Sequence, residues 1–362
     1  MPLVPSYIRD LASYKPGKPI EEVHRELGLK NIVKLASNEN SLGPSPRAMV
    51  AMKQAMVNCH RYPDAVGFKL RSTLAEKFDI KMDNVVLGGG SEGIMSTIMR
   101  TFLLADDEII SAANSFIGFR VLANASGRKI NWVPMKDHKY DLQAMAEKIN
   151  DYTKIIYIAN PDNPMGTYIT REDFDAFYAH VPERVLIILD EAYFEFAQLL
   201  EDYPDSMTYR YDNVITLRTF SKAYGLAGIR IGYGFAHEEL ITNLMKVKVP
   251  FEPSYLAQVA GYAALDDVDY IQETLDINQA GKDFFYNEFS KMNIKFIPTA
   301  ANFITTCWSS AEKATSIADK LLHEGIIVRH LTGFGWPDCI RISIGLKEEN
   351  RRCIRALKKV LS

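Results

Sequence analysis

The 362-residue chain is poor in cysteine, with only four. Cys59, Cys307, Cys339 and Cys353 stand apart with no C-x-x-C pair, which argues against a disulfide framework or a zinc site; they read as reduced, largely buried thiols. Long apolar runs are also missing. No stretch approaches the roughly 18 residues of a membrane span, and the opening MPLVPSYIRD has prolines and charges where a signal peptide needs an apolar core. The cytoplasm is the expected location. There is no excess of positive charge either. Lys plus Arg number 42 against 45 for Asp plus Glu, so the net charge of -3 gives no footprint for nucleic acid or an anionic membrane. What is present is an ordinary globular composition, 47% apolar and 24% charged, long enough for two domains. These exclusions favour small-molecule chemistry.

From about residue 30 onward, short β-branched runs alternate with helical stretches. Residues 85–87, 109–110, 155–158, 185–189 and 214–217 are near-continuous apolar runs, as expected for strands covered on both faces. An α/β fold with a mainly parallel sheet is predicted. Segments 91–104, 170–179 and 238–246 carry apolar residues at helical spacing, often behind a Ser or Thr suited to capping. After Pro253 one long helix over 254–292 is expected, followed by an α+β tail with strands near 302–305, 326–328 and 340–343. The predicted organisation is a large domain over 31–251 and a small α+β domain built from 1–30 and 252–362.

Ligands in open α/β sheets bind at the carboxyl ends of the strands, and four junctions there are unusual. Gly88-Gly89-Gly90-Ser91-Glu92-Gly93 is a strand-to-helix turn whose bare N–H groups suit a phosphate. Asn160-Pro161-Asp162-Asn163-Pro164-Met165-Gly166 is a stiff turn presenting an Asn. Asp190-Glu191-Ala192-Tyr193 places an acid directly after five apolar residues, and Thr219-Phe220-Ser221-Lys222 ends in a lysine, with Arg230 eight residues later. Each has an ordinary reading alone: a helix cap or ion-pair partner, a common turn, a solvated charge. The first also satisfies G-x-G-x-x-G through Gly88, Gly90 and Gly93, so an NAD-dependent oxidoreductase is an alternative. Against it, Asp106 and Asp107 precede the next strand rather than end it. Together the four junctions fit pyridoxal 5'-phosphate. Its aldehyde needs a lysine amine (Lys222), its ring nitrogen a carboxylate (Asp190), and its phosphate an arginine with N–H donors (Arg230 with Gly90, Ser91 and Glu92). The lysine, once freed, serves as general base and acid.

The string TFSKAYGLAGIRIG, from Thr219 to Gly232, resembles the lysine signature of fold-type I aminotransferases, and Asn163-Pro164 and Asp190 to Tyr193 fall at that superfamily's spacings. Within it the chain is similar almost end to end to histidinol-phosphate aminotransferases. The likeness runs through Tyr14-Lys15-Pro16-Gly17, Lys34-Leu35-Ala36-Ser37-Asn38-Glu39-Asn40, Arg61-Tyr62-Pro63-Asp64, Ala301-Asn302-Phe303 and Cys339-Ile340-Arg341-Ile342-Ser343-Ile344-Gly345.

The resemblance implies a seven-stranded α/β/α cofactor domain and a smaller α+β domain, pyridoxal phosphate as cofactor, no metal, and a homodimer with shared sites. It implies amino transfer between glutamate/2-oxoglutarate and histidinol phosphate/imidazole-acetol phosphate, a step of histidine biosynthesis. Lys222, Asp190 and Tyr193 would be catalytic. Asn163 and Tyr193 would bind the cofactor's phenolic oxygen, Phe116 would stack on its ring, and Gly90, Ser91, Glu92, Thr219, Ser221 and Arg230 would hold its phosphate. Tyr62 would reach the neighbouring subunit's cofactor. Arg341 would seat a substrate anion, with Tyr14, Asn38 and Arg329 also at the substrate. Arg341 would equally seat the carboxylate of phenylalanine or tyrosine, so an aromatic amino-acid aminotransferase is the runner-up. A non-catalytic binding protein is disfavoured because Lys222, Asp190, Tyr193 and Arg230 are all retained. Glu252-Pro253-Ser254 after Phe251, Glu92, and the missing Pro after Asn40 depart from the family pattern and bear on substrate choice.

Overall fold

The computed structural model describes residues 3–11, 17–208 and 212–362. After β1 (Val33–Lys34), seven strands build the main sheet: β2 (Val85–Gly88), β3 (Glu108–Ala112), β4 (Lys129–Val133), β5 (Thr153–Ala159), β6 (Leu186–Asp190), β7 (Val214–Thr219) and β8 (Gly232–Phe235). Their order is β2-β8-β7-β6-β5-β3-β4, and only β8 runs antiparallel to its neighbours. Successive side chains of a strand point to opposite faces, and here both faces are covered. Ile155, Tyr157 and Ala159 pack on one side with Ile94 and Phe119, whereas Ile156 and Ile158 pack on the other with Phe174 and Phe177. That two-sided burial is the origin of the continuous apolar runs.

Two strands of this sheet were not expected from the sequence. β4 alternates polar and apolar residues at the sheet edge, and β8 reads Gly-Tyr-Gly-Phe, a composition that weakens a strand in isolation. The first of those glycines is required by close approach: a Cβ on Gly232 would lie 2.6 Å from the carbonyl carbon of Gly90.

The helices differ from expectation mainly at their starts. Thr170 caps Arg171–Tyr178 in a capping box with Asp173. In contrast, Ser91–Phe102 opens on Gly90 without any side-chain cap. The single helix expected over 254–292 is two helices, Tyr255–Leu265 and Val268–Lys291. Asp267 breaks it, because its Oδ2 accepts hydrogen bonds from Ser45 Oγ (2.6 Å) and the Arg47 N–H (3.2 Å). Ala257, Ala260 and Ala264 of the first helix share a core with Leu70, Phe220 and Tyr233, whereas Phe285 and Phe289 of the second pack on Ile304 and Ile340.

The tail forms β9 (Lys295–Ile297), β10 (Phe303–Cys307), β11 (Ile326–Ile327), β12 (Arg329–His330) and β13 (Cys339–Ser343). These give an antiparallel sheet in the order β12-β13-β10-β9, while β11 pairs in parallel with β1. The strand expected at 326–328 ends at Ile327, and a separate strand, β12, follows beyond it and sets Arg329 directly opposite Arg341. No helix among the described residues is long and apolar enough to cross a membrane.

A buried ion pair joins β6 to β7. Glu191 Oε2 accepts from Arg218 at 2.8 Å, both side chains being fully buried, and the guanidinium lies 3.3 Å over the Phe194 ring. Removing one partner of such a pair leaves a buried charge in deficit. Glu191→Ala is expected to lower unfolding stability by about 3–5 kcal/mol in urea titrations; a loss below about 1 kcal/mol would show that Asp205, the second partner of Arg218, suffices.

Candidate active site

At the carboxyl ends of β2, β5, β6 and β7 lies a cavity of about 540 Å³. Every residue predicted to hold a cofactor lines it except Tyr62. A larger groove of about 900 Å³, between the helices Leu142–Ala146 and Arg171–Tyr178, contains none of them.

Asp190 is the last residue of β6 and is 4% exposed. Its Oδ2 accepts from the Tyr157 hydroxyl at 2.8 Å, whereas its Oδ1 has no hydrogen-bond partner. Burial raises its pKa to about 7. Lys222 follows β7 on the same cavity, with Nζ 5.7 Å from the centre of the Tyr193 ring. Burial lowers its pKa to about 8, and the positive charge of Arg341 adds to the effect. A carboxyl group and an amine are thereby drawn toward the pH at which each can exchange a proton.

On the β2 side the uncapped helix Ser91–Phe102 turns its N-terminus to the cavity. Gly90 has φ +83°, and a Cβ there would lie 2.6 Å from Arg230 Nη2, so the turn admits no side chain. Arg230 closes the other side, reaching Ser221 Oγ at 3.4 Å and the Gly89 carbonyl at 3.3 Å. Thr219 Oγ1 donates to Ser221 Oγ at 3.0 Å. Unsatisfied N–H groups, two hydroxyls and a guanidinium make this end of the cavity an anion site. Glu92 stands at its rim, 3.8 Å from Arg230.

Tyr193, 2% exposed, accepts hydrogen bonds at its hydroxyl from Asn38 Nδ2 (2.9 Å) and Asn163 Nδ2 (3.2 Å). With both lone pairs taken, its own O–H is left to donate. Asn163 Oδ1 in turn accepts from Arg341, whose other terminal nitrogen donates to the Ala36 carbonyl at 2.9 Å. Asn38 is fully buried and bonded to Tyr193 and Ser343, so it positions Tyr193 from outside the cavity. Arg329 sits across the ladder from Arg341, and both guanidinium groups lie within 6 Å of the Phe334 ring, at 5.7 and 5.8 Å. Tyr62 is 80% exposed and stacks on Phe251 at 4.4 Å, away from this chain's own cavity. Tyr14 lies outside the described residues.

The class I and II aminotransferase family matches residues 30–357. Histidinol-phosphate aminotransferase 2 of Carboxydothermus hydrogenoformans is 42% identical over 99% of both chains, and the histidinol-phosphate aminotransferase of an Anaeromyxobacter species 39% identical over the whole of both. The chain belongs to the histidinol-phosphate aminotransferase family. Among solved structures, the Sinorhizobium meliloti histidinol-phosphate aminotransferase in complex with pyridoxal-5'-phosphate superposes with a TM-score of 0.91 at 29% identity, covering 100% of this chain and 98% of that one. Thermus thermophilus aspartate aminotransferase with maleate shares the fold, with a TM-score of 0.84 at 19% identity over 99% of this chain and all of the other.

For a member of this family the dinucleotide reading of Gly88 to Gly93 falls away, and the sheet gives the reason. β2 is an edge strand beside antiparallel β8, so no parallel neighbour carries the ribose-binding acid that the fingerprint requires. The aminotransferase also uses residues that sequence reasoning passed over. Tyr157 orients Asp190 from within β5, where it read only as part of an apolar run. Tyr140 donates to Ser115 Oγ at 2.6 Å, and Ser115 donates to Asp162 at 2.6 Å, tying the loop that carries Phe116 to the turn that carries Asn163. Glu252, considered above for substrate choice, accepts from the Gly89 N–H at 3.1 Å and so braces the glycine turn from behind.

Because the folded chain holds a proton on Asp190 up to about pH 7, whereas the unfolded chain releases it near pH 4, this group's contribution to stability falls as pH rises between those limits. The isosteric Asp190→Asn avoids that cost. In cofactor-free protein its unfolding stability should exceed wild type by a few kcal/mol at about pH 8, with the advantage fading toward about pH 5. A difference independent of pH in thermal or urea unfolding would show that Asp190 is not the titrating group.

Proposed function

We propose that this enzyme is a pyridoxal-phosphate-dependent aminotransferase moving an amino group between glutamate and imidazole-acetol phosphate, with 2-oxoglutarate and histidinol phosphate as products. The observation that carries the reading is the meeting, in one cavity, of Lys222, whose proton is loosened to about pH 8, and Asp190, a buried carboxylate with one oxygen uncommitted. The substrate pair rests on full-length relatives that bear the histidinol-phosphate name.

The residues fit the cofactor. Asp190 Oδ1 suits a protonated ring nitrogen, and the open helix terminus at Ser91 with Thr219, Ser221 and Arg230 suits a phosphate. When bound, pyridoxal phosphate supplies an aldehyde that takes up an amine and a ring that accepts electrons from the adjacent carbon. Asp190 holds the proton on the ring nitrogen, keeping the ring an electron acceptor. The Tyr193 hydroxyl, left to donate by Asn38 and Asn163, would bind the phenolic oxygen, and Phe116 on the cavity wall would pack against the ring. Lys222 Nζ would hold the aldehyde, and its amine, drawn toward neutral pH by burial, would take up and return the proton of the substrate carbon. Arg341 seats the substrate's anionic group, with Arg329 and Tyr14 toward its phosphate. Residues 31–251 serve as the cofactor domain, and 1–30 with 252–362 as the domain that brings these groups to the substrate. The working unit is a homodimer in which Tyr62, exposed on its own subunit, completes the partner's phosphate site.

Following the absorbance of the bound cofactor while glutamate, histidinol phosphate and phenylalanine are added separately tests the reading. Conversion by histidinol phosphate at the lowest concentration is expected, whereas preference for phenylalanine would move the enzyme to aromatic amino acids. Lys222→Ala should still fold and bind cofactor but should not turn over; activity near wild type would remove Lys222 from the chemistry. Mixing inactive Tyr62→Phe and Lys222→Ala proteins should restore activity in heterodimers that hold one intact site. Silence despite demonstrated subunit exchange would refute the shared site.

A further inference from the structure

Cys307 and Cys339 are 32 residues apart in sequence, yet they face each other across β10 and β13 with their sulfurs 3.6 Å apart. We propose that they form a reactive dithiol, a modification site that a small-molecule disulfide converts into a cross-strand disulfide, and that closing it weakens the seating of substrate by Arg341. The second clause rests on the role given to Arg341 above; the first does not.

The backbone makes the pair suitable for closure. Trp308 N–H donates to the Asp338 carbonyl, and hydrogen-bonded rungs alternate along an antiparallel ladder, so Cys307–Cys339 is a non-hydrogen-bonded rung. Cα atoms on such rungs lie about 4.5 Å apart, inside the window of about 4.4–6.8 Å that disulfides occupy. The sulfurs need only close to about 2.05 Å. The two thiols are also unlike in a useful way. Cys307 is half-buried, so a reagent can reach it, and Lys295 sits directly opposite it on β9. The S–H of Cys339 donates to it, and that hydrogen bond lowers its pKa. Partial burial and the charge of Asp338 oppose these two effects, but the net shift at Cys307 is downward, toward the thiolate. Cys339 is buried and serves as the resolving thiol. Neither remaining cysteine is placed this way: Cys59 is exposed and Cys353 buried in the small-sheet core.

The exchange balances. The Cys307 thiolate attacks one sulfur of a disulfide R–S–S–R, that bond breaks, and R–S⁻ leaves with the electron pair and takes a proton from solvent. Cys339 gives its proton to solvent and attacks Cys307 Sγ, expelling the second R–S⁻. The dithiol is oxidised by two electrons and the reagent is reduced to two thiols. Arg341 follows on the same face of the same strand, opposite Thr305, whose hydroxyl donates to the Pro164 carbonyl at 2.6 Å. Pinching one rung therefore acts on its neighbour, which spans from β13 to the Asn163 turn.

The test uses cofactor-loaded protein, glutathione disulfide at about pH 8, intact mass and peptide mapping. Wild type is expected to lose two hydrogens, yield a Cys307–Cys339 linked peptide, and recover on adding dithiothreitol. Cys339→Ser should stop with glutathione held on Cys307, and Cys307→Ser should leave Cys339 unmodified. No reaction at Cys307, or a lasting glutathione adduct there in wild type, would overturn the dithiol. For the second clause, the oxidised enzyme should show a KM for its anionic substrate raised several-fold with kcat little changed, and the double Cys→Ser variant should not respond to oxidant. A linked peptide with KM unmoved would overturn the coupling, whereas an unmoved KM in reduced Arg341→Lys would fault the role of Arg341 instead.

Discussion

The Asp190 carboxyl is buried at the end of a central strand and aimed by the Tyr157 phenol. Register sets this up: Ala159 of β5 lies beside Asp190, so Tyr157, two residues earlier on the same face, reaches Oδ2 from within the sheet. Tyr157 is fixed in turn by stacking on Phe119 at 3.8 Å. One carboxylate oxygen is thus satisfied and the other is not, an arrangement that a fold selected for stability alone would avoid. Asp162, in the turn that carries Asn163, is also raised to about 7 by burial. Keeping the Asp190 carboxyl dry on the cavity wall destabilises the empty protein and prepares it for a ligand that meets its uncommitted oxygen.

The rest of the site depends on bringing a second sheet to that point. β13 contributes Arg341 and Ser343 on one face. Arg341 reaches Asn163, and Ser343 fixes Asn38, which fixes Tyr193. A single strand of the tail thereby sets Asn163 and Tyr193, two groups on the cavity wall. Charges around the cavity also act on its amine: Arg341 and Arg230 both help burial to keep Lys222 less basic than a surface lysine. The cavity itself is lined by loops of the main sheet alone, and the tail acts on it from behind, through the hydrogen bonds that hold Asn163 and Tyr193.

Much of this was legible in the sequence, for physical reasons. Strands buried on both faces leave continuous apolar runs, and residues at their carboxyl ends stand out as polar interruptions; Asp190, Thr219 and Gly88 to Glu92 were visible for that reason. β8 was not, because its glycines answer to close approaches, Gly232 to Gly90 and Gly234 to Leu217, rather than to strand propensity. The break at Asp267 was hidden because its cause is a bond to Ser45, distant in sequence. Tyr157 read as part of an apolar run and Tyr140 drew no notice, since nothing local reveals that a phenol points at a carboxylate or a serine. The facing of Cys307 and Cys339 was equally invisible, being a matter of register between two strands. Asn38 was visible by resemblance, but its position outside the cavity only the structure supplies.

The central claim is that Lys222 is the amine that meets the cofactor's aldehyde beside Asp190. Reduction of the cofactor-loaded protein with borohydride, followed by peptide mass spectrometry, reads this directly. The account predicts a phosphopyridoxyl group fixed on Lys222; its appearance on another lysine, or its absence from the protein, would contradict the account.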